Sequence, residues 1–173
     1  VGPAGGGFLP FDYGIFAMMS DQVALKELKI AEPRKLDDLL SPLFRRNIIL
    51  EDPRTSTPGL AFLLYTKEVY KEAVWRYWKK LRPQWLAMTP GWDGAYGLFL
   101  KKEAPLVWSY TTSQAYHIEH GDKVGRYKAI IFDEGQPVQI EGVALVKGSF
   151  RDAEAMELAK KFLDFMLSED VQA

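Results

Sequence analysis

The 173-residue chain sets 22 Lys and Arg against 23 Asp and Glu, and a formal net charge of −1 gives no basic surface for nucleic acid or an anionic membrane. Hydrophobic residues make up 47% and aromatic residues 13%, enough for one real core in a chain too short for two full-sized domains. Cysteine is absent, which excludes disulfides, thiolate metal sites and cysteine nucleophiles, and no apolar run approaches the roughly 20 residues of a membrane helix.

The head, Val1-Gly2-Pro3-Ala4-Gly5-Gly6-Gly7, is read together with Phe8 as an artificial remnant or glycine-rich linker, leaving residues 9–173 as a single ligand-binding lobe. Strand-like runs of apolar, β-branched or aromatic residues then recur at Tyr13–Met19, Asn47–Glu51, Trp85–Met88, Leu106–Tyr110, Tyr127–Phe132 and Glu141–Lys147. Helix-like stretches lie between most of them. Leu60–Tyr70 begins almost wholly apolar, and Glu72–Arg82 sets Val74, Trp75, Trp78 and Leu81 against Arg76, Lys79 and Lys80. The clearest helix is Asp152–Ser168, with Asp152 placed to cap it and Ala155, Leu158, Ala159, Phe162, Phe165 and Met166 in one apolar stripe. The last residues, Ser168–Ala173, read as the opening of a further helix that is cut off, so a fragment of a longer exported chain is expected. The alternation predicts an α/β fold with a mostly parallel sheet of five to six strands flanked by helices. Ligands of such sheets bind beyond the carboxyl ends of the strands.

Three segments share one layout of strand, polar turn and helix. The first, Asp52-Pro53-Arg54-Thr55-Ser56-Thr57-Pro58-Gly59-Leu60, offers hydroxyls and backbone N–H groups at a helix start, which suits an anion and equally describes an ordinary capped helix. The second is Thr89-Pro90-Gly91-Trp92-Asp93-Gly94-Ala95-Tyr96, opening a helix to about Lys102, and the third is Ser109-Tyr110-Thr111-Thr112-Ser113-Gln114-Ala115-Tyr116. In one parallel sheet the three turns converge on one edge and place Trp92, Tyr110 and Tyr116 beside helix N-termini. A flat aromatic cation is held by stacking and cation–π attraction, about 0.5–2 kcal/mol per ring, while its anionic tail sits on the helix starts. Asp52 and Arg54 are read as an ion pair bracing the first loop. His117 and His120 stand three apart with no third ligand at metal-site spacing, and a solvent-exposed helix end is expected there.

At these residues the chain resembles the thiamine-binding proteins of bacterial ABC importers. The likeness lies in Pro10–Gly14, Asp52–Leu60, Gly91-Trp92, Ala95–Lys101, Ser109–Ser113, Ala115–His117, and Glu134-Gly135 with Gln139 and Glu141, in order from about Leu9 to the end. The resemblance implies one lobe of a type II periplasmic-binding-protein fold, with Ser56 at the phosphate end of the ligand and Thr57 and Gly59 beside it. It implies that Trp92, Tyr110 and Tyr116 contact the ligand's rings. Thiamine or a thiamine phosphate is then the transported ligand rather than a cofactor, a membrane permease is the partner, and the compartment is periplasmic or extracytoplasmic. Set against the family's pattern, this stretch is expected to be the second lobe alone, without the first lobe and the return to it, and Gln136-Pro137 replaces an aromatic after Glu134-Gly135. Weakened binding, an apolar patch around the termini and some self-association are therefore expected. The same fold binding another small anion, a metal–anion complex or a polyamine is the alternative. An enzyme lobe of this architecture needs a nucleophile or reactive histidine in its cleft. With no cysteine and both histidines beyond the Tyr116 turn, no catalytic or metal-binding residue is assigned.

Overall fold

Ile48, Ile49 and Leu50 are apolar whichever face of the strand they take, as in a strand covered on both faces. The computed structural model describes residues 8–122 and 125–172, so the head through Gly7 lies outside the described residues. Six strands form the sheet: β1 Leu9–Asp21, β2 Ile48–Glu51, β3 Trp85–Thr89, β4 Leu106–Tyr110, β5 Tyr127–Ile130 and β6 Val138–Val143. The order is β3-β2-β4-β1-β5, with β6 pairing with β1. β2 runs parallel to β3 and β4, whereas β1 runs antiparallel to β4 and β5. The sheet is thus mixed. Strands β2 to β5 share one direction, as the alternating pattern implied, but β1 slots between β4 and β5 against both, a choice of neighbour that no local pattern encodes.

Among the described residues, those from Ile15 to Val138 form one compact unit, and residues 8–14 with 139–172 form another. In the larger unit the period-2 alternation of the strands serves two cores. Ile48 and Leu50 of β2, Leu106 and Trp108 of β4 and Met18 of β1 enter one cluster. Ile49, Val107 and Met19, one residue along, enter the other. Helices α2 (Thr57–Tyr70) and α3 (Val74–Leu81) cover the first cluster through Phe62, Tyr65, Tyr77 and Leu81. Helix α4 (Trp92–Leu100) covers the second through Ala95, Tyr96 and Phe99. A short helix, α1 (Gln22–Glu27), is capped by Asp21, and α5 (Thr112–Glu119) follows β4. The expected stripe of α3 is corrected at one position: Trp75 is 70% exposed and Tyr77 is buried instead. The inward face runs 74, 77, 78, 81, and Trp75 stands about 100° around the helix from Val74.

Helix α2 meets the end of β2 at Gly59, where an added Cβ would lie 2.5 Å from the Glu51 carbonyl oxygen. Only glycine lets the helix start that close to the strand.

In the smaller unit the strand expected at Glu141–Lys147 is β6, displaced to Val138–Val143. Helix α6 (Ala153–Met166) is capped as expected, its Asp152 Oδ1 accepting from the Ala155 amide at 2.8 Å. Its predicted apolar stripe is not covered by the described residues: Leu158 is 69% exposed and Phe162 and Phe165 are each 56% exposed, while Leu163 is buried. A four-residue helix, α7 (Glu169–Gln172), ends the described chain.

Glu51 is the anomaly of the larger core. It is 1% exposed at the carboxyl end of β2, and neither carboxylate oxygen has a hydrogen-bond partner. Burial therefore pushes its carboxyl from 4.5 up to about 8. Because the folded chain keeps a proton that the unfolded chain releases, stability falls as pH rises from about 4.5 to about 8 and levels off above that. Glu51→Gln, neutral throughout, is expected to be more stable than the parent by about 1–3 kcal/mol at pH 8 and equal to it near pH 4.5. Thermal melts across that range measure the difference.

Candidate functional site

The parallel register that pairs Glu51 with Thr89, and Ile49 with Val107, puts the carboxyl ends of β3, β2 and β4 side by side. The three polar turns that follow are stitched together there. The Asp52 amide donates to the Thr89 carbonyl at 2.8 Å, and the Thr55 hydroxyl to the Pro90 carbonyl at 2.7 Å. From the second turn, the Trp92 indole Nε1–H donates to the Ser109 hydroxyl at 2.8 Å. The convergence expected from the sequence is present.

The first turn is closed upon itself. The Thr55 and Ser56 amides both donate to the Asp52 carbonyl, and the buried Ser56 hydroxyl accepts from the Gly59 amide at 3.4 Å. Ser56 is therefore the N-cap of α2, and Thr57, the helix's first residue, is exposed. Asp52 and Arg54 form the expected ion pair, with Arg54 Nη2 2.6 Å from Asp52 Oδ2, and that guanidinium holds the Asp52 carboxyl down near about 2.

Trp92, Tyr110 and Tyr116 line one concavity of about 580 Å³, with Asp93, Tyr96, Gly97, Leu100, Thr112 and Ser113 completing the wall. Ser56, Thr57 and Gly59 are not among its lining residues. Trp92, half-buried at the start of α4, stacks on Tyr96 with ring centroids 4.8 Å apart. Tyr110, the last residue of β4, stacks on Phe16 at 4.7 Å. Tyr116 lies in the second turn of α5 rather than in a loop, 55% exposed and stacked on His120 at 3.9 Å. Asp93 is the one charged lining residue, so aromatic faces and a single carboxylate favour a flat cation.

Sequence reasoning missed what lies behind these rings. His117 is 4% exposed, which corrects the expected solvent-facing helix end. The chain turns back after α5 and lays Tyr127 of β5 over the His117 ring at 4.0 Å. His117 Nε2 lies 2.8 Å from the Tyr96 hydroxyl, and its Nδ1 lies 2.6 Å from Asp122. Tyr96, 6% exposed between pocket and core, has its phenol pushed up to about 12, chiefly by burial. The Gly-Leu-Phe stretch after Tyr96 carried one readable signal. Gly97 is a helix-interior glycine whose absent side chain faces open space at the pocket. Among the described residues no group of three or more His, Asp or Glu is placed to hold a metal.

Residues 3–173 match the family described as bacterial extracellular solute-binding protein. The thiamine-binding periplasmic protein of Brucella melitensis biotype 1 is 45% identical over 159 residues, covering 92% of this chain and 45% of that protein. The protein of the same name in Escherichia coli K12 is 45% identical over 161 residues, covering 93% of this chain and 46% of the relative. A solved structure described as a periplasmic thiamin binding protein superposes with a TM-score of 0.83 at 43% identity, over 99% of this chain and 52% of the other. The chain therefore spans about half the length of the curated relatives it matches.

Two glycines separate the demands of packing from those of the pocket. Gly97→Ala is expected to raise stability by about 0.5–1 kcal/mol, the ordinary helix preference of alanine over glycine, since nothing lies within 4 Å of the new methyl. Gly59→Ala is expected to lose more than about 2 kcal/mol, because its methyl meets backbone that cannot move aside. Urea unfolding of the two variants reads both effects.

Proposed function

This chain belongs to the bacterial extracellular solute-binding proteins, and from that premise we propose that it is a ligand-binding lobe of a thiamine receptor serving a bacterial ABC importer in the periplasm. The single observation that carries the reading is the pocket that gathers Trp92, Tyr110 and Tyr116 around one acidic residue, Asp93. Thiamine carries a flat pyrimidine and a cationic thiazolium. Both stack on such rings, at about 0.5–2 kcal/mol for each cation–π contact once desolvated. The names of the relatives point the same way. A bare oxyanion would leave the concentration of aromatic faces without a role.

In this reading the phosphate of a thiamine ester rests on the hydroxyl end of α2, with Ser56, Thr57 and Gly59 nearest it. The first and second turns are tied by the Thr55–Pro90 hydrogen bond, which brings that helix start toward the Trp92 turn. The positive end of α2 adds attraction for an anion. The chain's task is to capture and release, so it needs no nucleophile, and the chemistry of transport belongs to a permease that the loaded receptor meets. A first lobe would close over the rings and exclude water. Without it the same contacts are made against solvent, and affinity falls.

Calorimetric titration of the full-length parent with thiamine and thiamine phosphate tests the ligand. Trp92→Ala is expected to weaken both at least about tenfold, the loss of one well-packed aromatic wall. Ser56→Ala is expected to weaken the phosphate ester more than thiamine itself. Absence of heat in the parent, or indifference to Trp92→Ala, sinks the proposal. The exposed face of α6 adds a second expectation: Leu158, Phe162 and Phe165 drive self-association of this chain on its own. Light scattering after size exclusion should show an oligomer that Phe162→Glu dissolves. A clean monomer at high concentration refutes it.

A further inference from the structure

We propose that the amino-terminal edge of the parallel strands, opposite the turns that build the pocket, is a docking surface for an anionic phospholipid membrane. This goes beyond the thiamine reading and does not rest on it.

Parallel strands that gather three turns at one edge must gather their entry segments at the other. Ile48 pairs with Trp85 on one side and Leu106 on the other, so the chain enters β2, β3 and β4 side by side. The Arg46 amide donates to the Pro83 carbonyl at 3.3 Å and the Asn47 amide to the Gln84 carbonyl at 3.0 Å, which ties two entries together. Every entry is basic. Arg45 and Arg46 precede β2, Arg82 precedes β3, and Lys101 and Lys102 precede β4. All five are exposed, and Glu103 is the one acid in segments 45–47, 82–84 and 101–105. A near-neutral total thus conceals a basic face, which corrects the expectation from net charge alone.

Two explanations internal to the chain fall short. Helices α3 and α4 end at this edge, and helix carboxyl ends attract cations, but two such ends offset only about one unit of charge. Ion pairing accounts for the far side of the edge, where Arg126 meets the buried Asp21 and Lys128 meets Glu32. Among the described residues, none of the five basic side chains above takes part in an ion pair. Lys79 and Lys80, exposed in the last turn of α3, add to the surplus. That surplus is left for a partner outside the chain.

The shape of the edge favours a surface over a small ligand. The aromatic pocket and the groove along α2 are both lined by other residues, so these bases cradle no discrete anion there. Leu43, 63% exposed, stands two residues before Arg45 in the turn Pro42–Phe44, which packs on residues 82–84. Guanidinium and ammonium groups around an exposed leucine match a phosphate headgroup layer above an acyl boundary. Two of the charges also stand where the backbone prefers glycine, Arg46 with φ 57° and Lys102 with φ 65°. Lys102 closes α4 in a Schellman-type turn, its amide donating to the Phe99 carbonyl at 2.9 Å and the Glu103 amide to the Leu98 carbonyl at 3.1 Å. Glycine at either position removes a charge and eases the backbone at once.

Sedimentation of this chain with lipid vesicles is the test. Vesicles of phosphatidylcholine with about one third phosphatidylglycerol should bind it, and phosphatidylcholine alone should not. About 0.5 M salt should release it. Arg46→Gly with Lys102→Gly should keep or raise the melting temperature and weaken vesicle binding at least about tenfold. Arg45→Gln with Arg82→Gln, both on exposed side chains, should give a similar loss. Leu43→Ser should weaken binding about threefold and leave its salt dependence unchanged. Both double variants leave the exposed apolar face of α6 intact, so they separate this edge from an apolar route to the bilayer. Equal binding to the two kinds of vesicle, or binding that survives both double variants, overturns the proposal. Capture by soluble polyglutamate without vesicle binding overturns it too, in favour of an acidic protein partner. A chain that binds these vesicles but gives no heat with thiamine loses only the ligand reading, and one that binds thiamine but no vesicle loses only the membrane surface.

Discussion

Everything at the candidate site depends on the parallel ladder of β3, β2 and β4. Parallel strands require crossovers, and each crossover here leaves the sheet through a polar turn and a helix start. Because the strands point the same way, those turns fall at one edge. The Asp52 amide continues the ladder to Thr89, and Thr55 and Trp92 then bind the neighbouring turns together. An antiparallel partner in the place of β3 or β4 would send one turn to the opposite edge, and no aromatic pocket would form.

The aromatic residues divide between two duties that composition does not separate. Trp108 and Phe62 are fully buried in the first core, whereas Trp92, Tyr110 and Tyr116 keep part of their surface at the pocket. Tyr96 does both, with its ring in the second core and on the pocket wall and its hydroxyl 2.8 Å from His117 Nε2. Polar groups bridge the two environments, since a ring held only by packing keeps more freedom than one also held by a directed hydrogen bond. Glycine marks both kinds of constraint: at position 59 it admits a strand end, and at position 97 it leaves room at the pocket.

Most helices and strands were legible because their signals are local. Asp152 caps α6 as its position before an apolar-periodic run required, and the three strand–turn–helix segments appear where the Pro, Gly and hydroxyl residues stand. Trp75 was read into the buried face of α3, but that face runs 74, 77, 78 and 81 and leaves Trp75 about 100° around the helix from Val74, in solvent. His117 was misread for a different reason. Its burial comes from Tyr127 and Asp122, which reach it only after the chain has left α5. Glu51 likewise ends a strand-like run in the sequence, and only the fold buries it to 1% exposure.

By itself the sequence determined the class of the fold, the position of each polar turn and the residue types that make the site, because periodicity, capping and turn chemistry act over a few residues. The resemblance carried by Asp52–Leu60, Gly91-Trp92 and Ser109–Ser113 also pointed to a family that residues 3–173 match. Tertiary structure alone decided that β1 enters against its neighbours, that Ser56 spends its hydroxyl on a helix cap, and that a buried histidine stands behind the pocket. Those features depend on which distant groups meet. A side chain's burial and its hydrogen-bond partner are properties of the packed whole, written in no single segment of the chain.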